Sequence, residues 1–278
     1  MNSSVPASMQ SLRLLDTREG AVLEAAAQTM LENRRPSLLR IIQQSQRLDS
    51  PIGDSWLGRV DRRTDPFEAS QVARTFAMVA ADNLRQVDRI LRTSLPTFAL
   101  YSLIRSAIEA SSFGLWILDA SDEQLAASRT LRIYRQNIAS DRTMWGSLVA
   151  GSAPPHDHLH ASAERRHREL RGIDHVQFEK AVRSSAVIDM VDRSRPNQTD
   201  QAAISALVAW RVCSSIVHAN PVSMMHLLER HPDGNIGESA TRTSRLSFVA
   251  SFYVVACDRT EDLIDTFRVR SRPRRRTR

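Results

Sequence analysis

Two helical stretches written almost without charge carry the residues best placed to do chemistry. Between Leu95 and Leu118 the ionisable side chains are Tyr101, Arg105 and Glu109. Arg105 and Glu109 stand four apart and so share a helix face, with Tyr101 one turn earlier. Between Ala202 and Asn220 the corresponding residues are Arg211, Cys213 and His218. The step from Arg211 to His218 is close to two turns, so these too share a face, with Ser214 and Ser215 between them. A histidine can take up or give a proton near neutral pH, and an arginine can hold charge growing on a phosphoryl oxygen. The same groups can instead form a buried polar network, because an unpaired charge in an apolar core is expensive. In that arrangement Arg105 and Glu109 pair and bond to Arg211, His218 or Asp141, fixing helix register without catalysis.

The run from Arg211 to His218 (Arg-Val-Cys-Ser-Ser-Ile-Val-His) resembles the Arg–six residues–His signature of HEPN domains. These are helical bundles that include metal-independent ribonucleases of toxin and defence systems. The resemblance implies His218 as the acid/base and Arg211 as the phosphate clamp, at a site completed in a homodimer. Val212 stands where those domains carry a small polar residue. A second likeness covers more of the chain. Leu103-Ile-Arg-Ser-Ala-Ile-Glu-Ala, then Leu115-Trp-Ile-Leu-Asp and Arg129-Thr-Leu-Arg132, resemble an uncharacterised all-helical family of actinobacteria. That family pairs an Arg-x-x-x-Glu helix with a later Ser-x-x-x-His helix, matched here by Ser214 and His218. The likeness implies an architecture and no mechanism.

His156, His158 and His160, with Asp157 and His167 nearby, raise a metal reading, since all eight His lie between 156 and 231. An alternating His-x-His-x-His needs an extended strand to converge on an ion. This one follows Pro154-Pro155 and reads as a solvated loop, so no metal is expected. Phosphate-binding glycine loops, nucleophile elbows and zinc-protease helices are missing, and no cofactor is expected.

The net charge of +7 sits at one end. Of 38 basic residues, seven Arg lie between Arg268 and Arg278, leaving 31 against 31 acids elsewhere. All the basic residues but Lys180 are Arg. The Arg-rich end can hold nucleic acid or an anionic surface nonspecifically through simple charge. Two cysteines are no disulfide framework and read as buried free thiols of a reducing compartment. The first residues lack a signal peptide, and Arg105, Glu109, Pro96 and four Ser interrupt the most apolar stretch, so no transmembrane segment is expected. The protein reads as bacterial and cytoplasmic.

The elements that must position these residues are helices. With 9 Gly and no sustained alternation of apolar and polar residues, the fold class is all-α. Asp16 and Glu19 read as a capping box for a helix to about Asn33, and Pro36 as the start of a second one to about Arg47. Residues 49–65 read as a loop, and Asp65, Pro66 and Glu68 as the opening of a helix to about Arg92. Leu131, Tyr134, Ile138, Asp141, Trp145 and Leu148 step by three and four along one seam. Four central helices are predicted at 95–118, 121–149, 201–220 and 244–268. The organisation is an N-terminal helical extension and loop over 1–59, a helical bundle over 60–267, and a disordered basic tail over 268–278.

Overall fold

A computed structural model of the chain describes residues 18–148, 156–195, 204–231 and 241–273. It is an all-α bundle with eleven helices among the described residues and one two-stranded antiparallel ribbon. The helices are α1 (Ala21–Ser45), α2 (Trp56–Thr64), α3 (Ala69–Leu91), α4 (Ala99–Leu118), α5 (Glu123–Leu148) and α6 (His156–Arg168). There follow α7 (Val176–Glu179), α8 (Ser184–Ser194), α9 (Ala206–Val217), α10 (Pro221–Leu227) and α11 (Leu246–Arg270). Strands β1 (Glu229–His231) and β2 (Thr241–Thr243) precede α11. No described helix is long and apolar enough to cross a membrane.

α4 is the hub. Thirteen of its residues are buried, covering all but the side that carries Ser102, Arg105, Ser106 and Glu109, as its nearly uncharged sequence requires. It packs on α3, α5, α8, α9 and α11. Gly114 permits the close approach of α11, since a Cβ there would lie 2.6 Å from Leu263 Cδ1.

Several starts and stops differ from the sequence reading. Pro36 opens no new helix, because α1 runs through it to Ser45. Pro36 faces solvent, where water can take the carbonyl that loses its partner, while Leu38 and Ile41 bury into the common core. Asp16 lies outside the described residues. Glu19 caps a distant helix, its carboxylate accepting from the Ser247 backbone N–H at 3.1 Å in the first turn of α11. The stretch expected as a loop contains α2, whose start is capped by the Ser55 side chain on Gly58 N–H. α3 begins at Ala69 rather than at Pro66, with Asp61 of α2 accepting from Ser70 N–H at 2.9 Å. α9 ends at Val217, after which Ala219 takes a left-handed φ of 53° and Asn220 caps α10. α11 continues three residues into the predicted tail, and residues 274–278 lie outside the described residues.

One buried charge network joins four helices. Arg259 of α11 is 3% exposed. It donates to Asp192 of α8 at 2.6 Å and to the Arg195 carbonyl at 3.0 Å. Asp192 also accepts from Leu207 N–H at 2.8 Å, in the first turn of α9. Arg195 in turn grips Asp119, the cap of α4, through two 2.6 Å bonds, and reaches Thr266 of α11 at 2.8 Å. Charge-assisted, two-pronged bonds of this type are the strong ones.

Candidate functional site

The polar residues of α4 and α9 are brought together, but not in the predicted combination. Arg105 Nε donates to Ser214 Oγ at 2.8 Å, and its guanidinium lies 3.4 Å from Glu109 and 5.2 Å from the centre of the Trp210 ring. Glu109 accepts from Ser184 Oγ of α8 at 2.7 Å and from Trp210 Nε1 of α9 at 3.0 Å. The cluster is therefore Arg105, Glu109, Ser184, Trp210 and Ser214, and it pins α4, α8 and α9 together. Ser184 and Trp210 were not found from the sequence, because neither has a spacing relation to the pair they bond. Trp210, one residue before Arg211 on an otherwise apolar helix, was the available signal.

The other predicted members lie elsewhere. Arg211 and His218 are both exposed and make no side-chain hydrogen bond or ion pair among the described residues. The inward side of α9 is taken by Ala206, Ala209, Cys213 and Ile216, which turns Arg211 to solvent, and His218 stands just past the last turn. Tyr101 is sealed in the core, its ring centre 6.4 Å from that of Phe252. Burial pushes its phenol up to about 12. It faces Phe252 of α11, on the inward side of α4, whereas Arg105 and Glu109 stand at the partly exposed side. Asp141 bonds His156 Nε2 at 2.7 Å toward the end of α5 and makes no bond to the Arg105 cluster among the described residues.

Arg105 and Glu109 stand on the wall of a cleft of about 410 Å³ between α3, α4, α5 and the start of α8, open along one side. Its floor is apolar, made by Phe76, Val79, Ala110, Phe113, Ile133 and Val182. Gln136 closes one edge by accepting from Val182 N–H at 2.8 Å. Asn137 lines the cleft with its amide unbonded among the described residues. A volume of this size with a mainly apolar lining and few polar groups has the character of a binding site.

The histidine run is helical, not a loop, since His156, His158 and His160 fall in the first turns of α6. Among the described residues no group of three or more His, Cys, Asp or Glu is placed to hold a metal ion. His167, lower on α6, is sealed between neighbours. Its Nε2 is 2.8 Å from Ser128 Oγ, its Nδ1 is 3.3 Å from His175 Nδ1, and its ring stacks on Phe178 at 4.3 Å. Burial, then the neighbouring His175 and Arg132, push its pKa down to about 4. Burial pushes the thiols of Cys213 and Cys257 up to about 12, so both stay protonated.

No protein-family model, no curated protein and no solved structure matches this chain.

Two predictions follow from these positions. Glu109→Ala strands the donors of Ser184, Trp210 and Arg105 and is expected to cost about 2 kcal/mol. Arg211→Ala and His218→Ala, at exposed positions, should each change stability by less than about 0.5 kcal/mol in urea titrations. The second concerns acid. His167 binds fewer protons in the folded protein than in the unfolded chain between about pH 4 and its ordinary 6.5. Stability should thus decline as pH falls through that window, and the decline should be shallower in His167→Gln when melting is followed from pH 7 to pH 4.

Proposed function

We propose that this chain is a non-enzymatic helical interaction module and that the cleft between α3, α4, α5 and α8 is its binding surface. The observation carrying the proposal is the pairing of an apolar floor with a polar cluster already spent on packing. Arg105 and Glu109 hold three helices and one another, so they shape the cleft rather than supply a reactive group. The occupant this cleft suits is a large aliphatic or aromatic group on a partner that also offers a hydrogen bond to Asn137. The proposed setting is the bacterial cytosol, where the buried free thiols Cys213 and Cys257 stay reduced.

A second reading is a HEPN-like, metal-independent ribonuclease of the toxin or defence type. It is favoured by one specific observation, the exposure of Arg211 on α9 and of His218 just past its end, without polar partners among the described residues. Val208 and Val217 of α9 and Val222 of α10 are exposed and would be covered in a homodimer that encloses the pair. Nonspecific nucleic-acid contact through the Arg-rich end belongs to this reading.

The two readings separate in one set of measurements. The interaction module should bind the apolar fluorophore anilinonaphthalene sulfonate saturably. Val79→Glu, which puts a charge at an exposed cleft position, should weaken that binding at least about tenfold with melting unchanged; a variant that binds as well as the wild type would contradict the assignment. Single-stranded RNA in EDTA should remain intact with the wild type. Cleavage that disappears in a well-folded His218→Ala protein would put the nuclease reading in its place.

A further inference from the structure

On the side of α5 next to the cleft, three arginines follow one another at three-residue steps: Arg129, Arg132 and Arg135. Such steps place neighbouring side chains about 5–6 Å apart at Cβ. Arg135 is matched by Glu179 at 2.7 Å. Arg129 and Arg132 are not matched. Neither has a carboxylate within ion-pair distance among the described residues, although both are partly buried. Their guanidinium carbons lie over the same indole, 5.2 and 5.6 Å from the centre of Trp116. The hydrogen bonds they make are few for groups with five N–H donors each. Arg129 donates to the Trp116 carbonyl and, at 3.5 Å, to the Met190 sulfur; Arg132 donates to the Lys180 carbonyl at 3.4 Å.

The nearby acids are committed elsewhere. Asp119 is gripped by Arg195, and Asp122 caps α5 through Leu125 N–H at 2.9 Å. Burial pulls the Arg129 guanidinium down to about 10 against the opposing charge of Asp119, and burial with Arg135 nearby lowers Arg132. Two like charges held together, partly out of water and over an aromatic face, are unfavourable unless an anion completes them. Guanidinium pairs match tetrahedral oxyanions better than ammonium groups do, because each offers a planar fork of donors.

We infer that Arg129 and Arg132, seated over Trp116, form a binding site for a phosphate dianion, either free phosphate or a phosphomonoester group. The charge of such a ligand cancels that of the pair, which a phosphodiester with its single charge does not.

The test is a titration of the full chain at constant ionic strength, followed by the indole N–H resonance of Trp116, assigned with Trp116→Phe. Inorganic phosphate and phenyl phosphate should each shift that resonance saturably, and sodium chloride and dimethyl phosphate should not. If phenyl phosphate binds much more tightly than free phosphate, the natural ligand is a phosphomonoester; the reverse order assigns the free ion. Arg132→Gln should weaken binding at least about tenfold, Arg132→Lys less so, and Arg92→Gln, just past the end of α3 and next to the start of α4, should leave it unchanged. A wild type whose Trp116 resonance responds no more to phosphate than to chloride would overturn the site, as would an Arg132→Gln protein that binds as the wild type does. Diester binding as tight as monoester binding would overturn the dianion assignment.

Discussion

A positive charge sealed in the core governs how the second half of this bundle is assembled. Arg259 has 3% of its surface exposed, and a guanidinium cannot shed its proton to escape. It must be met by acid and carbonyl groups: Asp192 of α8 and the Arg195 carbonyl just past it, far away in the chain, with Asp262 of α11 itself 3.8 Å off. The same Asp192 that meets it also takes a free N–H at the start of α9, and Arg195 carries the linkage to the end of α4. Removing one partner of such a set leaves the other buried and uncompensated, which costs more than the pair was worth. The relative position of α4, α8, α9 and α11 therefore depends on one electrostatic condition being satisfied at a single place.

The smaller cluster around Arg105 and Glu109 works in the same way nearer the surface. Ser184, Ser214 and Trp210 turn two charged residues into a clamp that holds α8 and α9 against α4. The cleft lies where this clamp meets the apolar sides of α3 and α5, so its shape follows from the packing of α4. The contrast with Arg129 and Arg132 is informative. There the charges are also partly buried, but the chain provides an aromatic face in place of counter-charges.

Most of the helical skeleton was legible because the apolar periodicity is long and the caps are local. The errors have local physical causes. α2 was hidden by its charged Asp-Arg-Arg stretch, although Trp56, Leu57 and Val60 have helical spacing and Ser55 is a good cap. Pro36 misled because its cost depends on whether the freed carbonyl reaches water, and here it faces solvent. The ribbon is three residues per strand, too short for alternation to register. In the site, Arg105 and Glu109 were legible as a helical pair, and Ser214 as a neighbour of that face on α9. Arg211 and His218 were placed by spacing alone, which fixes a common face but not whether it turns inward. Arg259 was missed for a different reason. It falls in register with the buried Phe252, Ala256 and Leu263 of α11, yet in a chain where all but one basic residue is Arg, its identity carries little signal.

The central claim is that Arg259 and Asp192 act as one unit, and a double-mutant cycle in urea tests it most directly. Arg259→Met and Asp192→Leu are each expected to cost about 3–5 kcal/mol, because each takes the short charge-assisted bond away from a buried partner. The double variant should cost no more than either single one, since no charge is then stranded. Costs that simply add, or single variants within about 0.5 kcal/mol of the wild type, would mean that the helices find their positions without this pair.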